Sequence, residues 1–504
     1  MKDLTKYSNK LPYDETNIKD IYNYSQKLLG KTFLDVLSLN YENEDLEDIN
    51  DYYNNPSNKG SLGNLLEEYF FYYKPNNSEL PDFQKAELEL KTTPYEINKN
   101  KFIAGERLVI SMIPNTNPIE KEFKNSHLEK KLKNVLMIWY LRNRNKKRIE
   151  YSIDYIYLYQ LYSKLLSKDL TIILDDYNII VNKITSGNAH NLSESDTKYL
   201  GACTKGSSAS QILKPQYYNN KVLAKRRAFS LKQSYMTYIL NNYIMNNDKE
   251  KFDSIFKDEE IIDGNFESKI LDKLNFFIGK TEAELYHAFD LNKIIKSKNI
   301  NRILVNKILG VNSDKSEEFQ KANIDIKTIR VRKNGTPNES VSFPKIVIKD
   351  FVNKIFENSN EYNYFEKTRF LFVVFKENEE GNYKLAGSKF WNMPINELET
   401  IGKKEWELNK KKFLKGVNFK IEYNNLGKLI VKNDLPKKSE TKIFHLRPHS
   451  LKSSYIINGI KYGEGSKTDM DELINGDKMT NQCFWLNSEY IKKIVEDIIK
   501  KEKC

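Results

Sequence analysis

The chain has 504 residues, 81 Lys and Arg against 69 Asp and Glu, a formal net charge of +12 and a pI near 9.0; this balance suits a polyanionic partner such as nucleic acid, and equally a surface of solvated lysines. Three cysteines, Cys203, Cys483 and Cys504, with no C-x-x-C pair, indicate neither a disulfide framework nor a zinc site. Met1 to Lys10 has no apolar core of the kind a signal peptide needs, and the most apolar runs, 135–141 and 370–375, are too short to span a bilayer, so a cytoplasmic protein with no membrane partner is expected.

In chain order, a first helix is expected to close in the turn Gly30-Lys31-Thr32 (LLGKT). A second covers Leu62 to Phe70 (LGNLLEEYF), its leucines and aromatics at helical spacing with Glu67 and Glu68 between them. Phe83 to Thr92 reads FQKAELELKT, and its alternation predicts a strand with Ala86, Leu88 and Leu90 on one face and Glu87, Glu89 and Lys91 on the other. Leu108 to Ile113 and Val135 to Tyr140 are the next strands, completing a mixed core sheet, and the Tyr- and Leu-rich stretch Ile153 to Leu166 reads as helical. A loop follows with CTKGSSAS (Cys203 to Ser210), where Lys205 and the small residues could approach a phosphate backbone; an ordinary polar loop fits as well. Polar residues 246–265 form the connection to a second half.

That second half repeats the first. LLGKT returns as FIGKT (Phe277 to Thr281), FQKAELELKT as FQKANIDIKT (Phe319 to Thr328), and AFSLKQSY (Ala228 to Tyr235) as CFWLNSEY (Cys483 to Tyr490), in the same order and separated by 249, 236 and 255 residues. An internal repeat fixes the fold unit ahead of other signals. The chain is therefore read as one α/β domain with a mixed sheet, doubled: residues 1–248 and residues 262–504.

Asp82, six residues, Glu89, one residue and Lys91 is a spacing used by metal-dependent phosphodiesterases. Phosphodiester hydrolysis needs a divalent ion to neutralise non-bridging oxygens and activate water, and Mg²⁺ is held by one or two carboxylates, here Asp82 and Glu89 as the metal ligands. Lys91 on the same face would orient or deprotonate the water. A chain this rich in Asp, Glu and Lys also produces the pattern by chance, and a surface strand with a salt-bridged Glu and Lys fits it. In the second copy the set becomes Glu318, Asp325 and Lys327, and Asn301 to Leu309 (NRILVNKIL) holds no acidic residue. No H-x-x-x-H helical pair and no G-x-x-x-x-G-K-[ST] loop occurs, so neither a histidine metal pair nor nucleotide hydrolysis is indicated.

Asn58 to Glu67 (NKGSLGNLLE), Pro81 to Pro94 (PDFQKAELELKTTP) and Ser126 to Leu136 (SHLEKKLKNVL) resemble, in order and spacing, the MutH family of GATC-directed DNA endonucleases. The resemblance is closer to the two-domain type II restriction enzymes of that superfamily, the Sau-three-A-I type, through YLGACTKGSSAS, RRAFSLKQSYMTYIL, TRFLFVVFKE, FHLRPHS and FWLNSEYIKKIVEDI. It implies that Asp82, Glu89 and Lys91 are catalytic, supported by Glu67 and Lys131, and that Lys59, Gly60, Lys205, Lys232 and Arg447 lie at DNA. Ser230 stands where the nickase has a tyrosine, so that tyrosine's role does not transfer. The resemblance further implies Mg²⁺-dependent cutting of double-stranded DNA before the G of GATC, 5′ overhangs, homodimers on DNA and a non-cutting C-terminal regulatory copy. A mismatch-repair nickase and a non-catalytic DNA-binding protein are the alternatives.

Overall fold

In the computed structural model the described residues are 11–39, 46–58, 60–75, 78–205, 213–246, 252–256, 266–292, 297–312, 316–338, 340–450 and 452–501. They divide by contacts into two units, the first within 1–252, 256–264 and 320–323, the second within 253–255, 265–319 and 324–504. Among them no helix is long and apolar enough to cross a membrane.

The first unit opens with α1 (Ile18–Ser25), capped by the Asn17 side chain on the amides of Lys19 and Asp20, and α2 (Phe33–Ser38). The G-K-T turn between them is a piece of helix punctuation. Gly30 takes φ +76, a left-handed conformation favouring glycine, and Thr32 caps α2 in a reciprocal box with Asp35. Gly30 and Lys31 exchange backbone hydrogen bonds with Ile153 at 2.9 and 2.8 Å, docking the turn on the sheet. Then come α3 (Leu46–Asn54) and α4 (Ser61–Tyr69). Leu62, Leu65 and Leu66 of α4 pack into a core with Leu88, Leu90, Leu136 and Ile138.

The main sheet has the order β2-β1-β4-β5, from β1 (Glu89–Asn98), β2 (Lys101–Ala104), β4 (Asn134–Leu141) and β5 (Ile153–Gln160). β1 and β4 run parallel, with Glu89 opposite Val135 and Lys91 opposite Met137; α5 (His127–Leu132) leads into β4. β3 (Leu108–Met112) lies instead in a second sheet, β3-β9-β6, with β6 (Leu200–Thr204) and β9 (Arg227–Leu231), so it does not complete the core sheet as the sequence suggested. The expected helix at Ile153 to Leu166 is also corrected. Residues 153–160 are β5, antiparallel to β4, and the helix is α6 (Ser167–Thr185). The strand wins because β4, buried along nearly its whole length, takes residues 153–160 as an antiparallel neighbour. The hairpin β7 (Leu213–Gln216) and β8 (Asn219–Lys225) and helix α7 (Gln233–Tyr238) complete the unit.

The second unit repeats this plan. α8 (Phe266–Asn275) and α9 (Glu282–Ala288) flank Gly279 at φ +88, and Thr281 caps α9 in a box with Glu284. Gly279 and Lys280 exchange backbone bonds with Leu385 at 2.8 and 2.9 Å, as their counterparts do with Ile153. α10 (Ile300–Ile308) and α11 (Glu317–Ala322) precede β10 (Ile324–Val331), which pairs in parallel with β12 (Arg369–Glu377), itself antiparallel to β13 (Tyr383–Trp391). β11 (Val341–Lys345) belongs to the smaller sheet described below, and α12 (Ile348–Asn353) and α13 (Asn360–Lys367) lie between it and β12. After α14 (Ile395–Glu397) and α15 (Lys403–Lys415) come the hairpins β14 (Phe419–Tyr423) with β15 (Leu429–Asn433) and β17 (Ser454–Ile457) with β18 (Ile460–Gly463). β16 (Phe444–Pro448) precedes the second hairpin, and β19 (Met470–Glu472), β20 (Lys478–Thr480), β21 (Gln482–Leu486) and α16 (Ser488–Lys501) close the chain. The sheet β11-β21-β16 matches β3-β9-β6: in each, the central strand is the repeated AFSLKQSY or CFWLNSEY segment. The fold is α/β with mixed sheets, duplicated.

Candidate active site

The spacing from Asp82 to Glu89 is a closed loop. Phe83 and Leu88 exchange backbone hydrogen bonds at 2.9 and 3.2 Å around one turn of 3₁₀ helix at Gln84–Ala86, with Glu87 left-handed at φ 50. The six intervening residues therefore fold back on themselves and return Asp82 to the start of β1, where its Oδ2 accepts from the Leu90 amide at 2.8 Å. Glu87 belongs to this loop, so the alternating face begins at Glu89 and not before. In the second copy Asn323 holds the same left-handed position at φ 54, a conformation asparagine tolerates well.

Glu67 comes from α4. Gly63, one turn earlier on the same face, lies so close to β1 that a Cβ there would stand 3.2 Å from Thr92 Oγ1. That approach brings the C-terminal half of the helix over the Glu89 end of the strand. Tyr73 follows as the chain leaves α4, its amide donating to the Glu67 carbonyl at 3.0 Å and its ring edge-on to Phe83 at 5.3 Å. The Tyr73 hydroxyl is buried without a hydrogen-bond partner, and burial together with the charges of Asp82, Glu67 and Glu89 holds it well above its ordinary pKa. The sequence reading missed it, for a tyrosine in FFYY carries no motif.

Glu89 is fully buried. Its Oε1 accepts from Lys91 Nζ and, at 3.3 Å, from Lys131 Nζ on α5, while its Oε2 is buried with no hydrogen-bond partner. Burial, then the charge of Glu89, pushes the Asp82 carboxyl up to about 6; burial, then Asp82, pushes Glu67 up to about 7. Burial acts to lower Lys91, but Glu89 and Asp82 outweigh it and hold the ammonium above its usual range, so Lys91 starts protonated. Three carboxylates thus crowd against two lysines. An orphaned buried carboxylate oxygen next to carboxyls whose charged forms are disfavoured by burial and then by mutual repulsion is an environment that a hard divalent cation relieves. No group of three or more His, Cys, Asp or Glu among the described residues is arranged to hold an ion alone.

The second copy reverses the polarity. Asp325 accepts from Tyr364 at 2.6 Å and pairs with Lys327 at 3.0 Å and with Arg302, from α10, at 3.2 Å. Against burial, Lys327, Tyr364 and Arg302 hold Asp325 below its ordinary pKa, the opposite of Asp82. Glu318 is buried with its carboxylate engaged by Ser254 Oγ at 2.6 Å and the Ile255 amide. The helix that brings a carboxylate in the first unit brings an arginine in the second.

The family model described as DNA mismatch repair enzyme MutH matches residues 71–176 and 309–404, spans that hold Asp82, Glu89, Lys91 and Lys131 in the first unit and Glu318, Asp325 and Lys327 in the second. The chain is 33% identical over 471 residues to the type II restriction enzyme Sau3AI of Staphylococcus aureus, covering 88% of this chain and 93% of that enzyme. The chain belongs to the Sau3AI family of type II restriction enzymes. Its two MutH-like segments coincide with the two copies of the repeat.

For a Sau3AI-family chain, the expected DNA-contacting residues fall in different surroundings. Gly60 is the left-handed N-cap of α4 at φ 82, and Lys59 lies outside the described residues. Lys205 follows β6, its amide donating to the Arg226 carbonyl at 2.9 Å; residues 206–212 of the same loop are outside the description. Arg447 is exposed on β16 with its guanidinium 4.9 Å from the centre of the Trp485 ring. Lys232 is 2% exposed and donates to the Thr197 carbonyl at the corner between β9 and α7.

Proposed function

We propose that the first unit hydrolyses double-stranded DNA at GATC with Mg²⁺ as cofactor, cutting before the G, and that the second unit binds DNA without cutting and regulates the first. The observation that carries this reading is the contrast between the sites: a buried, unpartnered Glu89 oxygen with Asp82 driven up to about 6 in one copy, and Asp325 held down by two cations and a phenol in the other. Only the first is short of positive charge.

Asp82 and Glu89 would hold the ion, whose chemistry in such a site is to neutralise phosphate oxygens and lower the pKa of an attacking water. Lys91, protonated at rest, donates to Glu89 and stands ready to offset charge developing on the phosphate. Lys131 donates to the same Glu89 oxygen as Lys91. Glu67, near half-protonated at neutral pH, supports the Asp82 side of the site from α4. One cutting unit hydrolyses one strand, so a palindromic site requires two chains, which supports a homodimer on DNA. Family membership over nearly the full length favours this reading over a single-domain nickase.

Supercoiled plasmid incubated with the purified chain in Mg²⁺ and in EDTA tests it. Linear fragments whose sequenced ends begin 5′-GATC are expected in Mg²⁺ alone. Nicked circles would point to a nickase, and unchanged plasmid to a binding protein.

A further inference from the structure

Positive charge is unevenly distributed. Residues 403–467 contain sixteen Lys and Arg against six Asp and Glu, so about an eighth of the chain carries +10 of its net +12. The centre of this stretch is the hairpin β14–β15, and the duplication supplies an internal control for it. In the first unit the corresponding interval, between α6 and β6, holds only the 3₁₀ turns Ala189–Asn191 and Glu194–Asp196. The hairpin is therefore an addition specific to the second copy.

Its base is fixed and its tip is free of the core. Phe419 meets Tyr455 edge-on at 5.7 Å, Val431 packs on the core, and Asp434 ties Lys412 to the Asn418 amide. Asn424 accepts from the amides of Leu426 and Lys428, and Gly427 turns the chain at φ +71, so the tip is shaped before any partner arrives. Tyr423 is 72% and Leu426 90% exposed. On the flanks Lys420, Lys428 and Lys432 are 77%, 64% and 61% exposed, and Lys452 from the neighbouring segment 64%. Glu422 and Glu464 tether these lysines without balancing them.

We propose that β14–β15 is a DNA-docking ribbon of the second unit, with Tyr423 and Leu426 entering a groove of duplex DNA and Lys420, Lys428, Lys432 and Lys452 on the flanking phosphates. A two-stranded ribbon has the width to enter a major groove, and apolar tips meet base edges and thymine methyls there. A second copy of this chain is a poorer occupant because it would bring two such basic surfaces together. The inference rests on the reading that the second unit binds DNA.

The test uses the full chain in EDTA, with a fluorescent GATC duplex titrated by anisotropy over a range of KCl. K420Q/K428Q/K432Q is expected to flatten the plot of log affinity against log salt by about 2 to 3, at roughly 0.9 per lost phosphate contact. L426S is expected to weaken binding with the slope unchanged. In Mg²⁺ the triple variant should lose stimulation of one-site plasmid cleavage by a GATC duplex added in trans. An unchanged slope and intact stimulation overturn the ribbon and leave the second unit's role standing. If the wild type itself shows no stimulation, the underlying reading of the second unit falls. If sedimentation shows that the variants lose self-association without DNA while the slope holds, the occupant is a second copy and the DNA assignment is wrong.

Discussion

Asp82→Asn is expected to make the metal-free protein more stable and inactive. Asn keeps an oxygen to accept from the Leu90 amide at the observed 2.8 Å but removes a charge that burial, and then Glu89, disfavours. Moving an aspartate from its ordinary 3.8 to about 6 corresponds to on the order of 3 kcal/mol at about 1.36 kcal/mol per pH unit. Asp82 keeps a partly exposed edge, so solvent screening brings the expected gain to about 1–3 kcal/mol. A folded pKa above the unfolded one means that the native state holds the proton more tightly. Wild-type stability therefore falls as pH rises from about 4 to about 6, and the penalty is complete above that. The gap between variant and wild type should open across the same window and then stay level. In thermal unfolding at pH 8 in EDTA, the variant's transition should lie roughly 2–12 °C higher, at about 2–4 °C per kcal/mol for a unit of this size. Saturating Mg²⁺ should raise the wild type and narrow the gap. A variant less stable than wild type in EDTA at pH 8 would show that neither burial nor Glu89 disfavours the Asp82 charge and would refute the crowded-carboxylate account.

Other outcomes follow from the same geometry. Lys91→Ala should abolish cleavage while gel-shift affinity for GATC duplex survives, because its charge acts mainly where charge develops in the transition state. Arg447→Ala should weaken stimulation by a duplex added in trans more than basal cutting of a one-site plasmid. Leu65→Ala, at a fully buried position of α4, should cost about 2–5 kcal/mol in chemical denaturation and loosen the placement of Glu67.

The spacing of Asp82, Glu89 and Lys91 was legible because it has a local cause, a loop that closes on itself, and the same cause makes the second copy recognisable through Asn323. The G-K-T turns were legible as helix ends, since a glycine followed by a capping threonine is written in adjacent residues. β5 was not. Tyr and Leu at 153–160 satisfy a helical count, and the decision lies with β4, which needs a partner along its flank. The burial of Lys232 was not legible, because a lysine carries no sign of it in sequence; the carbonyl it donates to is 35 residues away. The missing acid in NRILVNKIL was visible, but that Arg302 of this helix pairs with Asp325 is a tertiary fact. Tyr73 enters the site only through the path of the chain beyond α4.

The most direct test of the central claim, that one of the two copies cuts, is cleavage of unmodified GATC plasmid in Mg²⁺ by Glu89→Gln and by Asp325→Ala, measured beside the wild type with sequencing of the ends. The account predicts no cleavage by the first variant and linear products with wild-type ends from the second. Cutting by Glu89→Gln, or conversion of the enzyme to a nickase by Asp325→Ala, would contradict it.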